Sequence, residues 1–79
     1  MSKKQDKAIL RGFASGGASD VQLTAVGKGY RRVTMVVAGH PCTVFKVPTS
    51  SHLDERGVQR KARDIARRFL KYETTTLTW

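Results

Sequence analysis

Five basic residues near the end of the chain recur every three or four positions. They are Arg56, Arg60, Arg63, Arg67 and Lys71. On an α-helix, this spacing places them within about 80° of one another, as one stripe. Arginine suits phosphate because its planar fork donates two parallel hydrogen bonds. The pattern predicts a helix face that contacts a polyanion; the alternative is an ordinary solvated surface.

The repulsion within this stripe favours the first interpretation. Like charges at such spacings destabilise a helix by a few tenths of a kcal/mol per pair, or about 1 kcal/mol for four pairs. Alternating glutamate and lysine would be equally soluble and more stable. Lys61 and Arg68 lie on one shoulder of the stripe, and Asp64 beside it neutralises only part of the charge.

A second basic cluster comprises Lys28, Arg31 and Arg32. The glycines on either side of Lys28 leave backbone N–H groups open to a phosphate, although Gly-Lys-Gly is also typical of a hairpin turn. Tyr30 either stacks on a base or packs at the sheet edge. Arg31 and Arg32 point to opposite faces of a strand, so only one can share a surface with the stripe.

The composition supports a polyanionic partner. Fifteen Lys and Arg against six Asp and Glu give a net charge of +9 in 79 residues. Such an excess attracts polyanions: most commonly nucleic acid, then an anionic membrane, then an acidic protein surface. The single cysteine, Cys42, excludes an intramolecular disulfide and is expected to be a buried thiol. With His40 and His52 it makes too small a set for a structural zinc site, so we expect no metal. We also expect no cofactor, and no enzymatic activity because the chain lacks a recognisable catalytic set.

The chain length and hydropathy predict one cytoplasmic domain. No apolar run approaches the ~18 residues of a membrane span, and the basic start lacks the apolar stretch of a signal peptide. No membrane-surface partner is expected either, because the sheet needs the few large apolar residues of the last helix. We expect a flexible basic N-terminus over residues 1–6, a single domain over 7–72, and a disordered tail or edge strand over 73–79.

Within this domain the pattern predicts a helix, three strands and a helix. Ile9, Leu10 and Phe13 share one side of the first helix, which the Gly/Ser-rich stretch 14–20 ends. Alternating or β-branched residues predict strands over 20–26, 30–38 and 42–47. Short connections favour hairpins. The fold class is therefore α+β, a three-stranded antiparallel sheet with both helices on one face.

The last helix has a clear apolar face opposite the stripe. Val58, Ala62, Ile65 and Phe69 form it, with Ala66 and Leu70 on one flank. The helix begins either at an Asp54 N-cap or at a capping box formed by Ser51 with Asp54.

From about Lys7 to Leu70 the chain resembles the HicA-type mRNA interferases of toxin–antitoxin pairs, which have a double-stranded-RNA-binding-like fold. Lys28-Gly29 matches the family's Lys-Gly at a strand end, and Ala38-Gly39 matches its hairpin turn. The segments "CTVFKVP" and "DERGVQRKARDIARRFL" match its third strand and final helix. The resemblance implies an RNA-binding scaffold.

The chain departs from that family at the catalytic position. The family's histidine follows the Lys-Gly, where this sequence has Tyr30, Arg31 and Arg32. Arginine cannot act as the general base because it stays protonated in proteins. His40 and His52 fall in predicted loops, as expected of surface residues. The resemblance therefore implies the scaffold without its base.

Three functions agree with these patterns. The first is binding of RNA or DNA through phosphates, with Lys28, Arg31 or Arg32 extending the stripe. The second is a small phage-type inhibitor that docks on a host protein or nucleic-acid machine. The third is a HicA-like ribonuclease toxin that uses His40 or His52. The exposed sheet edge could also pair with a second copy, giving a homodimer.

Overall fold

The computed structural model describes residues 3–49 and 53–79. It has the predicted α+β class, with two helices on one face of a small sheet. The elements in chain order are α1 (Lys3–Ser15), β1 (Ala18–Gly27), β2 (Tyr30–Val37), β3 (His40–Pro48), α2 (Glu55–Lys71) and β4 (Thr76–Thr78). Strands β1, β2 and β3 are joined by two-residue turns at Lys28-Gly29 and Ala38-Gly39 and pair antiparallel, as predicted.

The sheet has a fourth strand beyond the three that were predicted. Strand β4 pairs parallel with β3, so the strand order is β1-β2-β3-β4 and the C-terminal segment is an edge strand. The Trp79 N–H donates to the Phe45 carbonyl at 2.9 Å. Its ring meets Phe13 edge-on, with the centroids 6.3 Å apart. Partial burial of Leu77 and Trp79 against the core holds the segment in place.

The core lies between the sheet and the two helices. Alternate residues of β2 and β3 face the helices, since side chains alternate along a strand. The largest fully buried side chains are Ile9, Phe13, Val33, Val44, Val47, Val58 and Ile65. In α2 the buried residues are those predicted, except that Leu70 on the flank is 56% exposed. Leu70 lies about 120° from Val58 around the helix, beyond the reach of the sheet.

The two helices pack very closely through Gly12 and Gly16. A Cβ atom on Gly12 would lie 2.6 Å from the Ala62 Cβ and would also overlap the Gln59 carbonyl. On Gly16 it would lie 2.6 Å from both the Ala66 Cβ and the Arg63 carbonyl oxygen. Gly16 lies four residues after Gly12, and its contacts Arg63 and Ala66 lie four residues after the contacts of Gly12 in α2. The two helices therefore run parallel.

Helix α1 begins earlier than predicted. It starts at Lys3, so residues 3–6 of the segment predicted to be flexible are helical, and residues 1 and 2 lie outside the described residues. Two long-range contacts hold its first turns: the Gln5 side-chain amide donates to the Pro48 carbonyl at 2.9 Å, and Asp6 pairs with Arg31. Sequence periodicity does not report such contacts, because their partners lie on β2 and β3.

Helix α2 begins with the Asp54 N-cap, one of the two predicted starts. The Asp54 carboxylate accepts a hydrogen bond of 2.8 Å from the Gly57 N–H, which satisfies one otherwise unpaired donor of the first turn. Ser51, in the alternative capping box, lies outside the described residues. Neither helix of the described chain is long and apolar enough to cross a membrane.

Candidate nucleic-acid interface

The outer face of α2 carries the predicted basic residues, here called the helix stripe: Arg56, Arg60, Arg63, Arg67 and Lys71. All are exposed except Arg63, which is partly buried. The position of the apolar face decides this, because seating Val58 and Ile65 in the core turns the opposite side to solvent. The exposed Lys7 and Arg11 of α1 add further positive charge to the helical layer.

Carboxylates neutralise little of the helix stripe. Arg63 Nε lies 3.8 Å from Asp64 Oδ1, a half-exposed and therefore weak pair. Within the described chain, Arg56, Arg60, Arg67 and Lys71 form no ion pair, although the Lys71 ammonium lies over the Tyr72 ring at 5.6 Å. These charges are therefore available to an external anion.

A shallow pocket of about 330 Å³ opens between the end of α1 and the first half of α2. It is lined by Ser15, Arg56, Gln59, Arg60 and Arg63. The pocket depends on the close helix contact, since Gly16 brings the end of α1 against the backbone of Arg63. Three guanidinium-bearing residues around one concavity suit a phosphate group.

Arg31 does not belong to this surface, which corrects its prediction as a phosphate contact. It is 3% exposed, and its Nη1 lies 2.5 Å from Asp6 Oδ1. Strand alternation points Arg31 to the same side as Val33, beneath the helices. A buried guanidinium needs a paired carboxylate, and the pair with Asp6 links β2 to α1. Arg31 is therefore not accessible to a phosphate.

Lys28 and Arg32 are exposed, but they do not extend the helix stripe. Arg32 lies on the sheet face opposite to Arg31, which is the face that the helices leave uncovered. Lys28 lies in the turn between β1 and β2. Phe45 and Lys46 of β3 are also exposed, although neither was among the predicted contact residues. Strand alternation from the buried Cys42 and Val44 would have placed Phe45 on the open face.

His40 borders a different part of the molecule. It is exposed at the start of β3 and lines a cavity of about 470 Å³ together with Cys42, Phe69 and Glu73. The Cys42 thiol donates to the His40 carbonyl at 3.5 Å. His52 lies outside the described residues. Among the described residues, no three His, Cys, Asp or Glu side chains are grouped closely enough to hold a metal.

The burial of Cys42 predicts an unreactive thiol. Cys42 is 3% exposed, and desolvation raises the pKa of its thiol, outweighing the opposite effect of a backbone hydrogen bond from Val37. Only the thiolate reacts with iodoacetamide, so alkylation at pH 8 should be slow in the native protein and fast in concentrated urea. Equal alkylation rates with and without urea would contradict this prediction.

The raised pKa of Cys42 also predicts that the free energy of unfolding falls above pH ~8.5, because the unfolded chain loses the thiol proton at a lower pH than the folded chain does.

Comparisons with protein-family models, with curated proteins and with solved structures found no match to this chain.

Proposed function

We propose that this protein binds nucleic acid and that the helix stripe neutralises backbone phosphates. The observation that carries the proposal is the exposure of Arg56, Arg60, Arg67 and Lys71 without carboxylate partners in the described chain. Helical rise places Arg56 and Lys71 about 22 Å apart along α2. A straight cationic row of this length can reach phosphates on both sides of a duplex groove.

The chemistry of the helix stripe favours recognition of shape and charge over sequence. Phosphate contacts position a protein on a duplex but carry no sequence information. Double-stranded RNA is the better-fitting ligand, because its recognition depends on backbone contacts across a wide, shallow groove. The pocket beside Arg56, Arg60 and Arg63 then holds one phosphate at the end of the row.

A salt titration tests the proposal. Affinity for a fluorescently labelled duplex RNA and a duplex DNA is measured by anisotropy between about 50 and 300 mM KCl. Five phosphate contacts should give a slope of log K against log salt of roughly −4 to −5. A slope near zero, or no binding at 50 mM, would contradict phosphate neutralisation.

The same samples separate the two other functions. Intact RNA after prolonged incubation is expected of a binding protein, whereas cleavage would support a HicA-like ribonuclease. A protein partner captured from a nuclease-treated bacterial lysate, together with absent duplex binding, would support the docking inhibitor.

A further inference from the structure

The sheet face that the helices leave uncovered carries two exposed aromatic rings among basic residues. Tyr30 on β2 is 52% exposed and Phe45 on β3 is 42% exposed. Both strands are internal to the sheet. Arg32 and Lys46 are exposed on the same two strands, and the exposed Lys28 lies in the adjoining turn.

We propose that this open sheet face binds single-stranded nucleic acid, with Tyr30 and Phe45 stacking on bases and Arg32, Lys46 and Lys28 contacting phosphates. The site is separate from the helix stripe and does not require it. It would give the protein a second surface, for unpaired nucleotides, on the opposite side of the molecule.

The strand register brings these residues together. Arg31 pairs with Val47 and Val33 pairs with Val44, so two residues of β3, Phe45 and Lys46, lie opposite the single residue Arg32. Tyr30 precedes Arg32 by two positions and therefore shares its face. Tyr30 pairs with Pro48, three residues after Phe45, so the two rings lie on the same face of neighbouring strands with the bulge between them.

Strand β3 has a β-bulge at Phe45 and Lys46. Lys46 has a φ of +57°, in the left-handed region that L-residues rarely adopt. This extra residue shifts the alternation, so that Val47 is buried again while Phe45 and Lys46 are both exposed. In a regular strand, the adjacent side chains of Phe45 and Lys46 would point to opposite faces.

The remaining open-face positions fit a polyanion with exposed bases. Most of them are neutral polar residues: Gln22, Thr24, Thr34, Thr43, Thr76 and Thr78. Val36, with its register partners Ser19 and Pro41, lies on the same face at the end of β2 far from Tyr30. The one acid within the four strands, Asp20, lies at the other end of β1 from the turn that precedes Tyr30. Aromatic rings bind bases that have left the stack, which a single strand offers and a duplex does not. The charges fit any polyanion, but the rings select one with bases.

The test compares a labelled oligo(U) of about 12 nucleotides with an abasic oligonucleotide of the same length and label. Wild type should bind oligo(U) at least ten-fold more tightly than the abasic strand, because only oligo(U) offers bases to stack. Y30A/F45A should lose roughly 30-fold or more of the oligo(U) affinity, given the usual effect of removing two stacking rings. Y30W/F45W should retain it.

The duplex supplies the matched control for the two surfaces. Y30A/F45A should bind duplex RNA within about two-fold of wild type, and circular dichroism should show that it folds. Equal wild-type affinity for oligo(U) and the abasic strand, or unchanged oligo(U) binding by Y30A/F45A, would overturn the proposal. Binding of oligo(U) without binding of duplex RNA would refute the proposed function of the helix stripe and would support single-strand binding by the open sheet face.

Discussion

Replacement of Arg60 and Arg67 by glutamine is expected to weaken duplex binding about 60-fold at 0.1 M salt. Each phosphate contact contributes about 0.9 to the slope of log K against log salt, or roughly eight-fold in affinity at that concentration. Both residues are exposed on the middle of the helix stripe. The measured slope should therefore fall in magnitude by about two in R60Q/R67Q.

The matched control moves each substitution one residue along the chain. K61Q/R68Q removes the same charge from the same helix turns, but these residues lie on the shoulder toward β4, where the Lys61 ammonium lies 5.1 Å from the centroid of the Trp79 ring. Its duplex affinity should fall by no more than about five-fold, from the general loss of positive potential. Loss of the cation–π contact should destabilise the fold by only ~0.5–1 kcal/mol.

The comparison distinguishes a specific surface from net charge. Equal losses of affinity in R60Q/R67Q and K61Q/R68Q would show that the total charge, and not the helix stripe, determines binding. Unchanged affinity in R60Q/R67Q would remove the helix stripe from the interface altogether.

The other large effect is expected at the contact between the helices. Gly12→Ala should lower the free energy of unfolding by about 2–3 kcal/mol, because its methyl group would overlap the Gln59 carbonyl and the Ala62 side chain. Backbone atoms form part of that contact, so no side-chain rotation relieves it. In an isolated helix, Gly→Ala would stabilise the helix by up to ~1 kcal/mol. A loss of stability in the protein would therefore show that close packing against α2 outweighs helix propensity.

Urea unfolding followed by circular dichroism measures this effect. Gly27→Ala is the control, since Gly27 has open space around its Cα and no left-handed φ; a change within about 1 kcal/mol is expected there. Increased stability in Gly12→Ala would contradict the close parallel contact of α1 and α2. Because that contact also forms the pocket beside Arg56 and Arg63, Gly12→Ala should weaken duplex binding even where it remains folded.

Several features of the fold were predictable because their causes are local. The hairpin between β2 and β3 follows from Ala38-Gly39, whose φ angles of +52° and +80° suit a two-residue turn. The Asp54 N-cap is also encoded within three residues of the helix start. The place where α1 begins was not predictable, because its first turns are held by Pro48 and Arg31, far along the chain.

The sequence alone determined the amphipathic α2, because helical periodicity places its arginines opposite its apolar residues whatever the rest of the chain does. Tertiary structure decided which of the other cations reach solvent. Arg31 and Arg32 are adjacent in sequence, yet one pairs with Asp6 inside and the other lies on the open sheet face. Tertiary structure also decided that Phe45 and Lys46 share an exposed bulge and that β4 pairs with β3 as the new edge strand. These outcomes depend on pairing between distant segments, and local periodicity carries no information about which segments meet.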